Sequence, residues 1–167
     1  MIFTRSRETS DFWADALKMW WLSVKDQHGP IKRLVIYLDN GPKNSGTRTQ
    51  WLRRLVEFCD WSGLEIRLVY YPPYHSKYNP IERCWGVLEM HWNGSLLDSI
   101  AAAIGFARSM TWKGKHPQVS VVETTYAKGV RLKAAEMKGL ESQVVRLGSL
   151  EKWFVEIPAK PSKIPDS

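Results

Sequence analysis

The chain has 167 residues, carries a formal net charge of +7 and is 44% hydrophobic. That length suits one domain with a sizeable core, and the basic balance (sequence pI about 9.5) favours a polyanionic partner over a neutral or basic one. Cys59 and Cys84 form no CxxC pair, no stretch has the length of a transmembrane helix, and MIFTRSRETSDFW lacks the apolar core of a signal peptide. A zinc motif, a disulfide framework and a membrane span are therefore not expected, and a cytoplasmic location is.

Thr9 or Ser10 is placed to cap a helix running to about Gln27, with Trp13, Leu17, Trp20, Trp21 and Val24 as its buried stripe. Gly29-Pro30 ends it, and Ile31 to Leu38 reads as a strand whose apolar second half suits a central parallel position covered on both faces. Asp39-Asn40-Gly41-Pro42 breaks that strand. A second helix opens at Thr47 or Arg48 and closes near Gly63, with Trp51, Leu52, Leu55 and Phe58 inward. Leu64 to Tyr71 is the next strand, and strand, helix, strand at this length makes a βαβ unit with parallel strands.

A Pro- and Tyr-rich loop, PPYHSKYNPIE, leads into a third helix over Pro80 to Trp92, with Asn79 as cap and Ile81, Trp85 and Leu88 sharing one face. Ser95 is read as the cap of a fourth helix through about Met110. Val119 to Glu123 reads as a strand, Lys133 to Leu140 as a short helix and Trp153 to Ile157 as a closing strand. Residues 158–167 are Pro- and Lys-rich and are expected to be a disordered tail.

Two carboxylates stand where chemistry is served. Asp39 follows a parallel strand at its carboxyl end, the edge outside which open α/β sheets bind ligands. Mg²⁺ requires a few well-placed carboxylate oxygens of this kind. The competing reading is turn chemistry, with Asp39 and Asn40 bonding their own backbone. Glu82 likewise has two readings. Asn79-Pro80-Ile81-Glu82 fits a capping box, but the loop before it crowds His75, Ser76, Lys77 and Tyr78 beside the carboxylate, a combination suited to a nucleic-acid backbone.

Taken together, LDNGP and PPYHSKYNPIERCW resemble the second and third signature blocks of DDE-type insertion-sequence transposases. These are the mariner- and Tc-related enzymes, whose catalytic core has the RNase H-like, retroviral-integrase fold. The match rests on Asp39-Asn40, Pro72-Pro73, Ser76, Asn79 and Ile81-Glu82, and MHWNGSLL and YAKGVRL are most similar to the ISAzo-type subgroup. The resemblance implies an α/β, RNase H-like domain over residues 1–157 and DNA strand cleavage and transfer with two Mg²⁺ or Mn²⁺ ions. Asp39 and Glu82 are then catalytic metal ligands, and Asn40 and Asn79 support them. Lys43, Arg48, His75, Ser76, Lys77, Tyr78 and Arg83 are candidate contacts to DNA.

The sequence departs from the pattern in two ways. Asp39 and Glu82 are 43 positions apart, longer than in the mariner-like relatives. More seriously, the family's first Asp belongs to a strand meander ahead of the first helix, and neither Asp11 nor Asp15 resembles it. The chain is thus expected to be the C-terminal part of such a domain, inactive alone. The strand at Ile31 to Leu38 is expected to have an open edge that self-association or an N-terminal transposase fragment would cover. Six basic residues against two acidic ones between Lys113 and Lys138 offer either a DNA grip or a solvated face. The rival function is a non-catalytic DNA-binding or assembly module. An α/β hydrolase using Asp39 and His75 is disfavoured, because the sequence has neither a nucleophile elbow nor a P-loop.

Overall fold

The computed structural model describes residues 1–72, 75, 78–151 and 153–159, which divide into two compact units. The larger consists of Glu8–Pro73 with Tyr126–Ser167, the smaller of Met1–Arg7 with Tyr74–Thr125.

In chain order the elements are β1 (Ile2–Thr4), α1 (Ser10–Val24), β2 (Arg33–Leu38), α2 (Thr49–Ser62), β3 (Glu65–Tyr70), α3 (Pro80–Trp92), α4 (Ile100–Ser109), β4 (Ser120–Val122), α5 (Ala134–Glu141), β5 (Val145–Arg146) and β6 (Phe154–Ile157). A 3₁₀ turn, Lys25–Gln27, extends α1.

The larger unit is built on a four-stranded sheet in the order β2-β3-β6-β5. β2 and β3 are parallel, Arg33 opposite Glu65 through Leu38 opposite Tyr70, as a βαβ unit demands. β6 returns antiparallel to β3, and β5 antiparallel to β6. Thr9 caps α1, its hydroxyl accepting from the Phe12 amide at 3.3 Å. The amphipathic pattern of α2 buries Trp51, Leu52, Leu55 and Phe58 as expected, and the helix ends at Gly63, whose φ of 73° is the left-handed geometry that glycine adopts without steric cost. These side chains meet Leu34, Leu38, Ile66, Leu68, Tyr70, Val155 and Ile157 in one apolar cluster, joined by Leu140 of α5.

Polar ties fasten α1 to α2. Arg54 on α2 pairs with Asp15 and lies 3.6 Å from Asp11, while Gln50 donates to Asp11 at 2.8 Å. Tyr126 packs edge-on against Phe12, ring centroids 6.0 Å apart, and its hydroxyl donates to Asp15 at 2.9 Å. The acidic first turns of α1 therefore hold two helices together, beyond any effect on the helix dipole.

In the smaller unit, β1 and β4 form a two-stranded parallel ladder, and α3 and α4 bury Cys84, Leu88, Ala107 and Met110. Met1, Phe3, Trp92 and Val119 pack against that cluster.

Several expectations are corrected. Among the described residues β2 has the open edge expected of it, but it is covered on one face rather than on both: Leu34 and Leu38 are buried, whereas Val35 and Tyr37 are 45% and 55% exposed. An apolar run marks residues that suit a strand, but it does not reveal whether a second layer covers the other face. Trp20 is 43% exposed and lies outside the α1 stripe, which is led by Phe12, Ala14 and Trp21. On α3, Ile81 and Trp85 are exposed and the buried face is set by Cys84 and Leu88. Ser99 rather than Ser95 caps α4, its hydroxyl accepting from the Ala102 amide at 3.1 Å. β1 and β5 are not legible in the sequence, because strands this short have too few residues to show a period. The tail expected from Pro158 lies, beyond Ala159, outside the described residues.

Candidate metal centre

Asp39 is the first residue after β2, so the last residue of a sheet-bound strand sets its backbone. The next residue, Asn40, takes φ of 59°, a left-handed turn that Asn accepts more readily than most residues. This turn swings the chain back beneath the carboxylate. The Gly41 amide donates to Asp39 Oδ1 at 3.2 Å and Asn44 Nδ2 donates to the same oxygen at 3.3 Å. The turn reading of Asp39 is therefore met at one of its two oxygens. Oδ1 serves the turn, and Oδ2 has no hydrogen-bond partner among the described residues of an exposed carboxylate.

Long-range bonds hold the loop behind Asp39. The buried Tyr70 hydroxyl, at the end of β3, donates to the Asn44 carbonyl at 2.8 Å. Ser10 at the start of α1 donates to the Lys43 carbonyl at 2.6 Å, and Arg146 on β5 donates to the Gly46 carbonyl at 2.9 Å. A side chain at Gly46 would stand 3.1 Å from the Tyr70 ring and 3.2 Å from Val155, so only glycine allows this approach without displacement. Burial of the Tyr70 hydroxyl raises its pKa well above the ordinary value of 10.0, which keeps it a donor throughout the physiological range.

Glu82 occupies the third position of α3. The helix begins as expected at Pro80 with Asn79 as cap, but Asn79 Oδ1 accepts from the Ile81 amide at 3.3 Å. The reciprocal bond from the Glu82 carboxylate to the cap, which would complete a capping box, is not formed among the described residues. Glu82 is exposed. Asp39 belongs to the larger unit and Glu82 to the smaller, and each is placed within its own. No group of three or more His, Cys, Asp or Glu side chains among the described residues is gathered so as to hold a metal ion.

The remaining candidates divide. His75 and Tyr78 are exposed, their rings 5.9 Å apart and tilted by 32°, with the Tyr78 amide donating to the His75 carbonyl. Arg83 is exposed and makes no ion pair among the described residues. Lys43 pairs with Glu8 at 2.7 Å, and Arg48 reaches the Val130 carbonyl at 3.5 Å. Asn40 contributes its backbone turn, and its side chain makes no hydrogen bond among the described residues. Ser76 and Lys77 lie outside the described residues. The basic run from Lys113 to Lys138 is exposed but split, with Lys113 and Lys115 in the smaller unit and Lys128, Arg131, Lys133 and Lys138 in the larger.

A strand ending in Asp, a helix opening on Glu and a mixed α/β sheet are the parts that the two sequence blocks implied. The family model described as the Rhodopirellula transposase DDE domain matches residues 1–159. This chain belongs to that transposase DDE family.

The family fits the architecture, since parallel strands flanked by helices are consistent with an RNase H-like DDE domain. DDE transposases use divalent metal ions, and exposed carboxylate oxygens on a fixed loop are the hard donors such ions take. No curated protein and no solved structure matches the chain significantly. No helix of the DDE domain, among the described residues, is long and apolar enough to cross a membrane. Sequence reasoning missed Asn44, Ser10, Tyr70 and Arg146. Each acts through a partner at least 26 positions away, save Asn44, which lies just beyond the turn legible in Asp39-Asn40-Gly41-Pro42 and bonds back across it to Asp39.

Proposed function

We propose that this DDE domain serves metal-dependent cleavage and transfer of DNA strands, with Asp39 and Glu82 as metal-binding carboxylates and Mg²⁺ or Mn²⁺ as the ions. The observation that carries the reading is Asp39 itself, fixed at the carboxyl end of β2 with Oδ1 restrained by two donors and Oδ2 free of protein partners among the described residues. When bound, two such ions activate the attacking oxygen and stabilise the leaving oxygen of an in-line displacement. The protein's task is to hold the carboxylates and position DNA. Glu82 opens α3 from an exposed first turn, and Asn79 sets that turn's geometry by capping it.

We assign DNA contacts to His75, Ser76, Lys77, Tyr78 and Arg83, which flank Glu82, and to Lys43 and Arg48, which flank Asp39. Aromatic faces at His75 and Tyr78 suit bases or sugars, and Arg83 suits a phosphate. The Lys43–Glu8 pair is half exposed and weak enough to be exchanged for a phosphate.

Neither Asp11 nor Asp15 resembles the family's first Asp, and we assign that third acidic ligand to a polypeptide segment outside these residues, such as an N-terminal transposase fragment. Without it, two carboxylates hold Mg²⁺ poorly, so the chain alone is expected to show little or no strand cleavage. A DNA-cleavage assay in Mg²⁺ or Mn²⁺ checks this. Robust cutting that disappears with Asp39→Asn would overturn the inactivity while upholding the metal role.

A second reading, a DNA-binding or assembly module without catalysis, is favoured by the exposed cations Lys128, Arg131, Lys133 and Lys138 of the larger unit. DNA binding that is indifferent to divalent metal, in the unaltered chain and in Asp39→Asn alike, would support it.

A further inference from the structure

Asn44 is 5% exposed, yet its Oδ1 has no hydrogen-bond partner among the described residues. A buried, unpaired amide oxygen is a standing cost that proteins rarely leave without a use. Its neighbours say where that oxygen lies. A methyl group built on Gly41 would stand 3.3 Å from Asn44 Oδ1, 3.3 Å from Asp39 Oδ1 and 3.7 Å from Asp39 Oδ2. The unpaired oxygen and the carboxylate therefore converge on one small space, kept open because residue 41 is glycine.

The amide is held in this orientation from both ends. Nδ2 donates to Asp39 Oδ1, the Asn44 amide nitrogen donates to the Gly41 carbonyl at 3.2 Å, and the Asn44 carbonyl accepts from Tyr70. A flip of the side-chain amide would set Oδ1 against the carboxylate oxygen, so the electrostatics select the observed arrangement.

We propose that Asn44 is a cation-positioning residue: Nδ2 orients the Asp39 carboxylate while Oδ1 supplies a second, neutral oxygen to the divalent cation that Asp39 holds, directly or through one of its waters. This rests on the reading of Asp39 as a metal ligand. Mg²⁺ keeps several waters and is bound by few protein oxygens, so one carboxylate with one amide oxygen is a chemically adequate half-site.

The test uses the full 167-residue chain with Mn²⁺ alone as probe, read by paramagnetic broadening of the Gly41 and Asn44 amide signals and by thermal melting without metal. The unaltered protein is expected to show saturable broadening that Asp39→Asn abolishes. Asn44→Ala is expected to weaken Mn²⁺ binding at least about tenfold, the usual effect of removing a group that supports a metal ligand. Asn44→Asp, which keeps an oxygen in place of Oδ1, is expected to bind Mn²⁺ at least as tightly as the unaltered chain. That variant decides the matter if Asn44→Ala does not fold. Binding within twofold of the unaltered chain in Asn44→Ala, with Asp39→Asn inert, overturns the role of Asn44 and leaves that of Asp39 standing. So does an Asn44→Asp variant as weak as a folded Asn44→Ala. Broadening that persists in Asp39→Asn, or none in the unaltered protein, overturns the metal reading of Asp39 and this inference with it.

Discussion

At the scale of single residues, the loop after β2 shows how little chain is needed to present a carboxylate. Asn40 turns the backbone, Gly41 leaves space, and Tyr70 anchors the far side through one hydrogen bond. Gly41→Ala is expected to push against both Asp39 and Asn44 by a few tenths of an ångström, lowering Mn²⁺ affinity with little change in melting temperature. A metal titration beside a melting curve checks this. Tyr70→Phe leaves the Asn44 carbonyl without its donor and is expected to cost about 1–3 kcal/mol, the penalty for an unsatisfied buried group. Chemical denaturation would measure it.

The same tyrosine predicts a pH effect. Its folded pKa is raised, so its contribution to stability is fully present below the ordinary value of 10.0 and is lost as pH rises from there toward the folded pKa. Melting temperature is expected to fall more steeply above pH 10 in the unaltered chain than in Tyr70→Phe. Parallel curves would contradict the assignment.

At the scale of elements, α1 and α2 illustrate which side chains a helical pattern reveals. The α2 stripe was legible because Trp51, Leu52, Leu55 and Phe58 recur at helical spacing beside charged positions. In α1 nearly every position from Phe12 to Leu22 is apolar or amphipathic, so the pattern does not choose a face, and Trp20 was misplaced while Trp21 was not. Asp11 and Asp15 likewise gave no sign of Arg54, which lies 39 positions beyond Asp15. This cluster is only partly exposed, and charged hydrogen bonds of that kind are worth roughly 1.5–3 kcal/mol before screening. Arg54→Met is expected to destabilise the larger unit by about 1–2 kcal/mol, discounted for its exposure. A melting temperature unchanged by that substitution would show that apolar packing alone joins the two helices.

For the whole molecule, the sheet order places β2 at an edge with β3 as its one paired neighbour among the described residues. An unpaired edge beside the exposed Val35 and Tyr37 is a template for further strand pairing. Sedimentation is expected to show association that grows with concentration, and alternate β2 amides are expected to exchange with solvent quickly. A monodisperse, cooperatively melting monomer with uniformly protected β2 amides would contradict both.

The sequence by itself determined the βαβ core, the ends of α3, the family and the two carboxylates worth following. Helix caps, turn residues and apolar spacing are local properties, and the two signature blocks lie within short segments. Tertiary packing alone settles that β2 is covered on one face, that the acidic turns of α1 clamp α2, and that Asn44 shares the space around Asp39. Each depends on groups brought together from distant or differently turned stretches of chain, where burial and hydrogen bonding are set by the neighbour and not by the residue. Asp39 is legible as a candidate carboxylate in the sequence. What its two oxygens face became visible only once Gly41, Asn44 and Tyr70 were in place.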